Sequence, residues 1–387
     1  PWYNPVRIDK LIISILSHHS ILKTKIMSTL INKITLIIMG TLVLAMSACS
    51  DDASNPQPNP SVYTSAEAYL EEIGFSGSVL IRKGDADLVR KGFGMADIAN
   101  GTANDPSLLY RIGSVTKSFT SAAIINLKRD GLIESFDQPL SDFDEEFPLG
   151  NQITIRHLMT HHSGIPDYVG PVEVFAEQNN YFFDTEEIFD IIMESIEENG
   201  LIFEPGEFFS YSNSNYLILG ILIEGLAGKT YQEYLQEKIY APLNLLHTGK
   251  GPDAITGTER ARGYNNGLEV GAYQMKIAYS AGEIESTISD LEKWGDAMLG
   301  DYYTAEEKEL VFATPTGLDG VNMPGAGWFT LNIEDQVIYH HGGNIDGFTS
   351  FLAIIPESNG MIILLSNEQD KDEQRNQILE TIMKNEF

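Results

Sequence analysis

The sequence predicts an α+β fold: one antiparallel sheet built from both chain ends, flanked by helices, with a mostly helical subdomain between them. Three patterns carry that expectation. Strand-like runs occur early, at residues 75–82 and 88–93. They return late, at residues 327–333, 336–341, 348–355 and 361–366. Between the two sets, from Ser114 to about Leu299, apolar residues recur mostly at helical spacing.

The elements follow in chain order. Residues 1–48 read as upstream sequence and a signal peptide, with residues 1–26 expected to precede a start at Met27. From Met27 a short basic region with Lys33 leads into an apolar run, Ile34 to Met46, and then into Ser47-Ala48-Cys49. Small residues before the cleavage point are the mark of a secretory leader. The run is short for a spanning helix, which needs about 20 apolar residues. Met46-Ser47-Ala48-Cys49 resembles a bacterial lipobox, so Cys49 is expected to be lipidated and to anchor the protein to a periplasmic or cell-surface membrane. Residues 49–65 then form a polar tether, in which Pro56, Pro58 and Pro60 alternate with polar residues. Residues 66–387 are expected to form one domain, opened by a hairpin that turns at Gly84-Asp85. A helix is expected after Ser114, stopped at Asp130-Gly131. Another is expected over 217–226 after a polar stretch, and a last one over 373–383.

Composition narrows the function. Cys49 is the one cysteine, so no intrachain disulfide can form. Loss of residues 1–48 removes five basic residues and one acidic residue, taking the formal net charge from −30 to −34. Such a surface repels phosphate backbones and disfavours nucleic-acid binding.

Chemistry is concentrated first in Ser114-Val115-Thr116-Lys117. Residues at i and i+3 share a helix face, so the Lys117 amine can reach the Ser114 hydroxyl. Gly113 allows a tight entry, placing Ser114 at a helix N-terminus where negative charge is favoured. A serine beside a lysine there is a candidate acyl-transfer nucleophile. His157 and His161 have the i, i+4 spacing of a zinc helix. The glutamate of H-E-x-x-H is absent, however, and Ser163-Gly164 ends the segment, so no metal and no cofactor are expected.

Two further segments join the first in order: Tyr211-Ser212-Asn213, and His341-Gly342-Gly343 on a strand, with Gly347-Phe348 shortly after. Ser-x-x-Lys, Tyr-x-Asn and a basic residue followed by x-Gly resemble the penicillin-recognising serine hydrolases. The similarity is greatest to the class C β-lactamase-related branch, with its D,D-peptidases, D-aminopeptidases and esterases. Residues 75–80, 154–164, 241–243 and 280–294 fit the same pattern, so the resemblance runs from about residue 66 to the C-terminus.

The resemblance implies a β-lactamase/transpeptidase-like fold. It implies Ser114 as nucleophile, Lys117 and Tyr211 as proton-transfer residues, and Asn213 as a residue that orients Lys117 and binds substrate. His341 and Gly343 would line the substrate site, and the main-chain N–H groups of Ser114 and Asn344 would receive the oxyanion. The third motif departs from the Lys-Thr-Gly or Lys-Ser-Gly of β-lactamases. A histidine of ordinary pKa ~6.5 is mostly neutral at pH 7, and Gly342 has no hydroxyl. Strand alternation sends His340 and His341 to opposite faces, and the spacing to Gly347-Phe348 selects His341 for the cleft. The expected function is therefore a secreted serine hydrolase acting through an acyl-enzyme on an ester or D-amino-acid amide, with a small molecule or peptide as substrate. The alternatives are a β-lactamase, a slowly deacylating penicillin-binding protein, and a non-catalytic sensor or binding protein with the same fold.

Overall fold

A computed structural model describes residues 63–313 and 322–387. Residues 1–48, Cys49 and all but the end of the polar tether lie outside the described residues. Ser65 opens the ordered part: its side chain accepts the Ala68 N–H and caps helix α1, Ala66–Glu72. The early hairpin follows as β1, Gly77–Lys83, and β2, Ala86–Phe93.

The helical region carries α2 (Thr116–Arg129), α3 (Ile155–Met159), α4 (Val169–Asn179), α5 (Thr185–Asn199), α6 (Asn213–Ala227), α7 (Met275–Gly282) and α8 (Ile288–Leu299). The late strands are β3 (Met323–Pro324), β4 (Phe329–Ile333), β5 (Gln336–Ile345), β6 (Phe348–Ile355) and β7 (Gly360–Ser366), and α9, Asp372–Glu386, closes the chain. The strands form one sheet in the order β3-β4-β5-β6-β7-β1-β2. Every neighbouring pair is antiparallel, and β1 lies beside β7, in register from Gly77 opposite Ser366 to Arg82 opposite Met361. Both chain ends thus build the sheet.

Both faces of the sheet are covered. In β6 and β7, Leu352, Ile354, Ile363 and Leu365 join the core shared with the helical region. Their alternate neighbours Phe351, Ala353, Ile362 and Leu364 join a second core under α1 and α9. Hence these strands read as continuous apolar runs, not as alternating ones.

Two of the boundaries that differ from the sequence expectation bear on the site. Helix α6 begins at Asn213, four residues before 217, because its capping oxygen is tertiary: the Asn213 N–H donates to Asp167 Oδ2 at 2.9 Å. Strand β5 continues past His341 to Ile345. The Gly342-Gly343 pair does not break it; the missing Cβ atoms admit other groups. A Cβ on Gly342 would fall 2.3 Å from Arg375 Nη1 of α9, and one on Gly343 would fall 2.1 Å from the Ile112 carbonyl oxygen.

Candidate active site

The site forms where β5 meets the turn that enters α2. Ser114 sits in a single 3-10 turn, Gly113–Val115, directly ahead of the helix. Gly113 has φ +48°, and a Cβ there would lie 3.0 Å from the Asn344 nitrogen. Gly113 and Gly343 therefore let two backbones touch without side chains between them. That contact sets the main chains of Ser114 and Asn344 side by side. The Asn344 side chain is used elsewhere, donating to Asp372 and accepting from Thr349 Oγ1 at 3.0 Å.

One helical turn after Ser114, Lys117 is buried, with Nζ 3.0 Å from Ser114 Oγ. Nζ also donates to Asn213 Oδ1 at 2.8 Å and to the Ala281 carbonyl at 2.8 Å. Burial pulls Lys117 from the usual 10.5 down to about 7, against an opposing pull from the Asp167 charge. A neutral amine has two N–H donors and one lone pair. With both donors taken by the two carbonyls, the lone pair is left facing the Ser114 hydroxyl.

Tyr211 closes the other side of Lys117, its ring centroid 4.9 Å from Nζ. Burial pushes its hydroxyl well above the ordinary tyrosine value, and the hydrogen bond to Ser114 only partly offsets that. Tyr211 is thus held as a protonated phenol. His341 lies beyond it, 6.4 Å between ring centroids. Burial first, then the nearby Lys117 charge, lowers His341 to about 3, so the ring is neutral. Its Nδ1 lies 2.6 Å from the Gly342 carbonyl. A carbonyl only accepts, so Nδ1 carries the proton and Nε2 keeps a lone pair.

The structure brings together all the expected side chains: Ser114, Lys117, Tyr211, Asn213 and His341. Gly343 and Asn344 take part through backbone. His340 points to the opposite face, against Phe351 and with Nε2 2.8 Å from Asn322 Oδ1. Gly342 requires a correction to the reading of the third motif. Its Cβ direction leads to Arg375 on that same far face, so a hydroxyl side chain at 342 would meet the guanidinium.

Two contacts with the Tyr211 motif escaped the sequence reading. Asp167 accepts from both the backbone N–H and the Nδ2 of Asn213, at 2.9 and 2.7 Å. His161 is buried with φ +58°, and its ring stacks on Tyr211 at 4.3 Å. Its Nδ1 accepts the Ser212 N–H at 3.2 Å, so this imidazole is a neutral support under the tyrosine. The neighbouring rings are also engaged locally. The Thr154 N–H donates to His157 Nδ1 at 3.3 Å, and His162 Nδ1 lies 2.7 Å from the Thr160 carbonyl. The signal for both contacts was the run 157–167, a polar segment that composition alone could not tie to the Tyr211 motif.

Comparison with known proteins identifies the family and the fold. A family model described as Beta-lactamase matches residues 66–383. Protein flp of Staphylococcus aureus (strain NCTC 8325 / PS 47) is 28% identical over 306 residues, covering 75% of this chain and 59% of that protein. The chain thus spans less than two thirds of that relative's length. The putative penicillin-binding protein PbpX of Bacillus subtilis (strain 168) is 28% identical over 307 residues, covering 78% of this chain and 73% of that protein. Among solved structures, a penicillin-binding protein from Bacillus halodurans superposes with a TM-score of 0.69 at 26% identity, covering 83% of this chain and 100% of that one. The D-amino acid amidase of Ochrobactrum anthropi SV3, complexed with L-phenylalanine, shares the fold with a TM-score of 0.69 at 24% identity, covering 79% of this chain and 92% of that one. With Ser114, Lys117, Tyr211 and Asn213 meeting on that fold, the chain belongs to the β-lactamase family, among the penicillin-recognising serine hydrolases.

Proposed function

We propose that the protein is a serine hydrolase that works through an acyl-enzyme on Ser114 and acts on an ester or a D-amino-acid amide. The observation that carries this reading is Lys117 Nζ, 3.0 Å from Ser114 Oγ with its other two partners both carbonyls. Lys117 takes the Oγ proton as Oγ attacks the substrate carbonyl. The tetrahedral oxyanion settles against the N–H groups of Ser114 and Asn344. Tyr211, a protonated phenol, donates to the leaving group and is reprotonated from Lys117. Water then attacks the acyl-enzyme along the reverse path. Donors of the oxyanion type contribute ~10²–10³ each in rate.

The preference for esters and amides over β-lactams rests on His341. A neutral ring at this position offers no fixed cation to a β-lactam carboxylate. A charge-assisted hydrogen bond is worth about 1.5–3 kcal/mol, roughly one to two powers of ten in specificity. His341→Lys alone is the informative change, since a side chain at Gly342 would point away from the cleft, toward Arg375. The expected result is a rise of about tenfold or more in cephalosporin kcat/KM relative to a short ester. A wild type that already favours the cephalosporin, or a ratio unmoved by the substitution, would contradict the assignment.

A further inference from the structure

The segment from Met159 to Asp167 is laced to the Tyr211 motif residue by residue. The Ser210 N–H donates to the His161 carbonyl at 3.0 Å, and the Tyr216 hydroxyl to the Met159 carbonyl at 2.7 Å. Ser163 Oγ donates to Asn215 Oδ1, and Ser214 Oγ to the Pro166 carbonyl, both at 2.5 Å. The last link is Asp167 on Asn213. An ionised carboxylate only accepts, so it demands the NH₂ end of the Asn213 amide. The carbonyl end is thereby turned to Lys117, where it takes one of the two N–H donors.

We propose that Asp167 is a positioning residue for the attack by Ser114: by fixing which end of the Asn213 amide meets Lys117, it aims the lysine lone pair at the serine hydroxyl. The inference rests on the reading of Ser114 and Lys117 given above. Without the carboxylate, the Asn213 amide is free to rotate its NH₂ toward Lys117. A donor would then face a donor, and the amine would turn its lone pair away from Ser114.

The same carboxylate acts on the charge of Lys117. The groups around Nζ come from five places: Ser114 on its own turn, Tyr211, Asn213 and Tyr216 at the start of α6, the Ala281 carbonyl of α7, His341 of β5, and His161 and Asp167 from the bracketing segment. Burial and the Lys117 charge keep both histidines neutral. Asp167 favours the ammonium form, so neutralising it moves Lys117 further down.

Asp167→Asn keeps the size of the side chain but offers one oxygen where the carboxylate offers two, so the Val169 N–H and the two Asn213 donors compete for it and the Asn213 amide loses its fixed orientation. The probe is a fluorophosphonate: Ser114 Oγ forms the O–P bond, fluoride leaves, and the serine proton passes to Lys117. This readout does not depend on knowing the substrate. The labelling rate constant of Asp167→Asn at pH 8 should fall ~10–10²-fold, the scale of a small misplacement of reacting groups. Its acidic limb should move to lower pH, and Asp167→Glu should recover part of the rate. Wild-type rate and pH profile in Asp167→Asn would overturn the proposal. So would losses that follow the melting temperature in both variants with the acidic limb unmoved, since that is the behaviour of a cap. A wild type that does not label would overturn the Ser114 reading, and this inference with it.

Discussion

Ser114→Ala is expected to abolish hydrolysis while leaving the fold intact. The hydroxyl is the atom that the site converges on: Lys117 Nζ lies 3.0 Å away, and Tyr211 hydrogen-bonds it from the other side. Loss of a nucleophile that acts as a unit with its base costs on the order of 10⁴–10⁶ in kcat. Stability should change by less than about 1 kcal/mol, because Ser114 is partly exposed. Lys117 keeps both carbonyl partners in the variant. Steady-state kinetics on a chromogenic ester, with a thermal melt on the same sample, checks both halves. Turnover near the wild-type rate would remove Ser114 from the mechanism.

The second large effect is expected from Lys117→Met, which keeps the length of the buried chain and removes the amine. General-base catalysis contributes typically ~10²–10⁴ in rate, and the loss should fall in kcat. The pH dependence gives an independent check. The base must be neutral, and burial brings Lys117 to about 7, so wild-type kcat/KM should rise as pH climbs through 7 and fall away below it. His341, at about 3, and His161, lowered well below the usual histidine value, stay neutral across that range. Tyr211, pushed up, stays protonated. The acidic limb therefore belongs to Lys117, and the residual activity of Lys117→Met should lack it. A limb that survives in the variant would assign the titration to another group.

Sequence patterns made the site legible wherever its chemistry is local. Ser114 and Lys117 are one helical turn apart, and the two-residue alternation of β5 correctly separated His341 from His340. The sheet was legible for the same reason, since β6 and β7 are continuous apolar runs bounded by turns. What stayed hidden depends on contacts far along the chain. Helix α6 starts at Asn213 because an aspartate 46 residues earlier caps it. Gly342 and Gly343 looked like a strand end, yet each marks a close approach, one to Arg375 and one to Ile112. Histidine spacing at 157 and 161 suggested a metal pattern to be weighed. The left-handed backbone of His161 instead turns that ring under Tyr211. No periodicity encodes such pairings, because each joins segments whose order along the chain is unrelated to their distance in space.

Covalent catalysis at Ser114 is tested by peptide-mapping mass spectrometry of the active protein after fluorophosphonate treatment. One phosphonyl group per chain is expected, located on Ser114, with ester turnover lost in proportion to labelling. An enzyme that still turns over the ester while unlabelled at Ser114, or whose inactivating label sits on another residue, would contradict it.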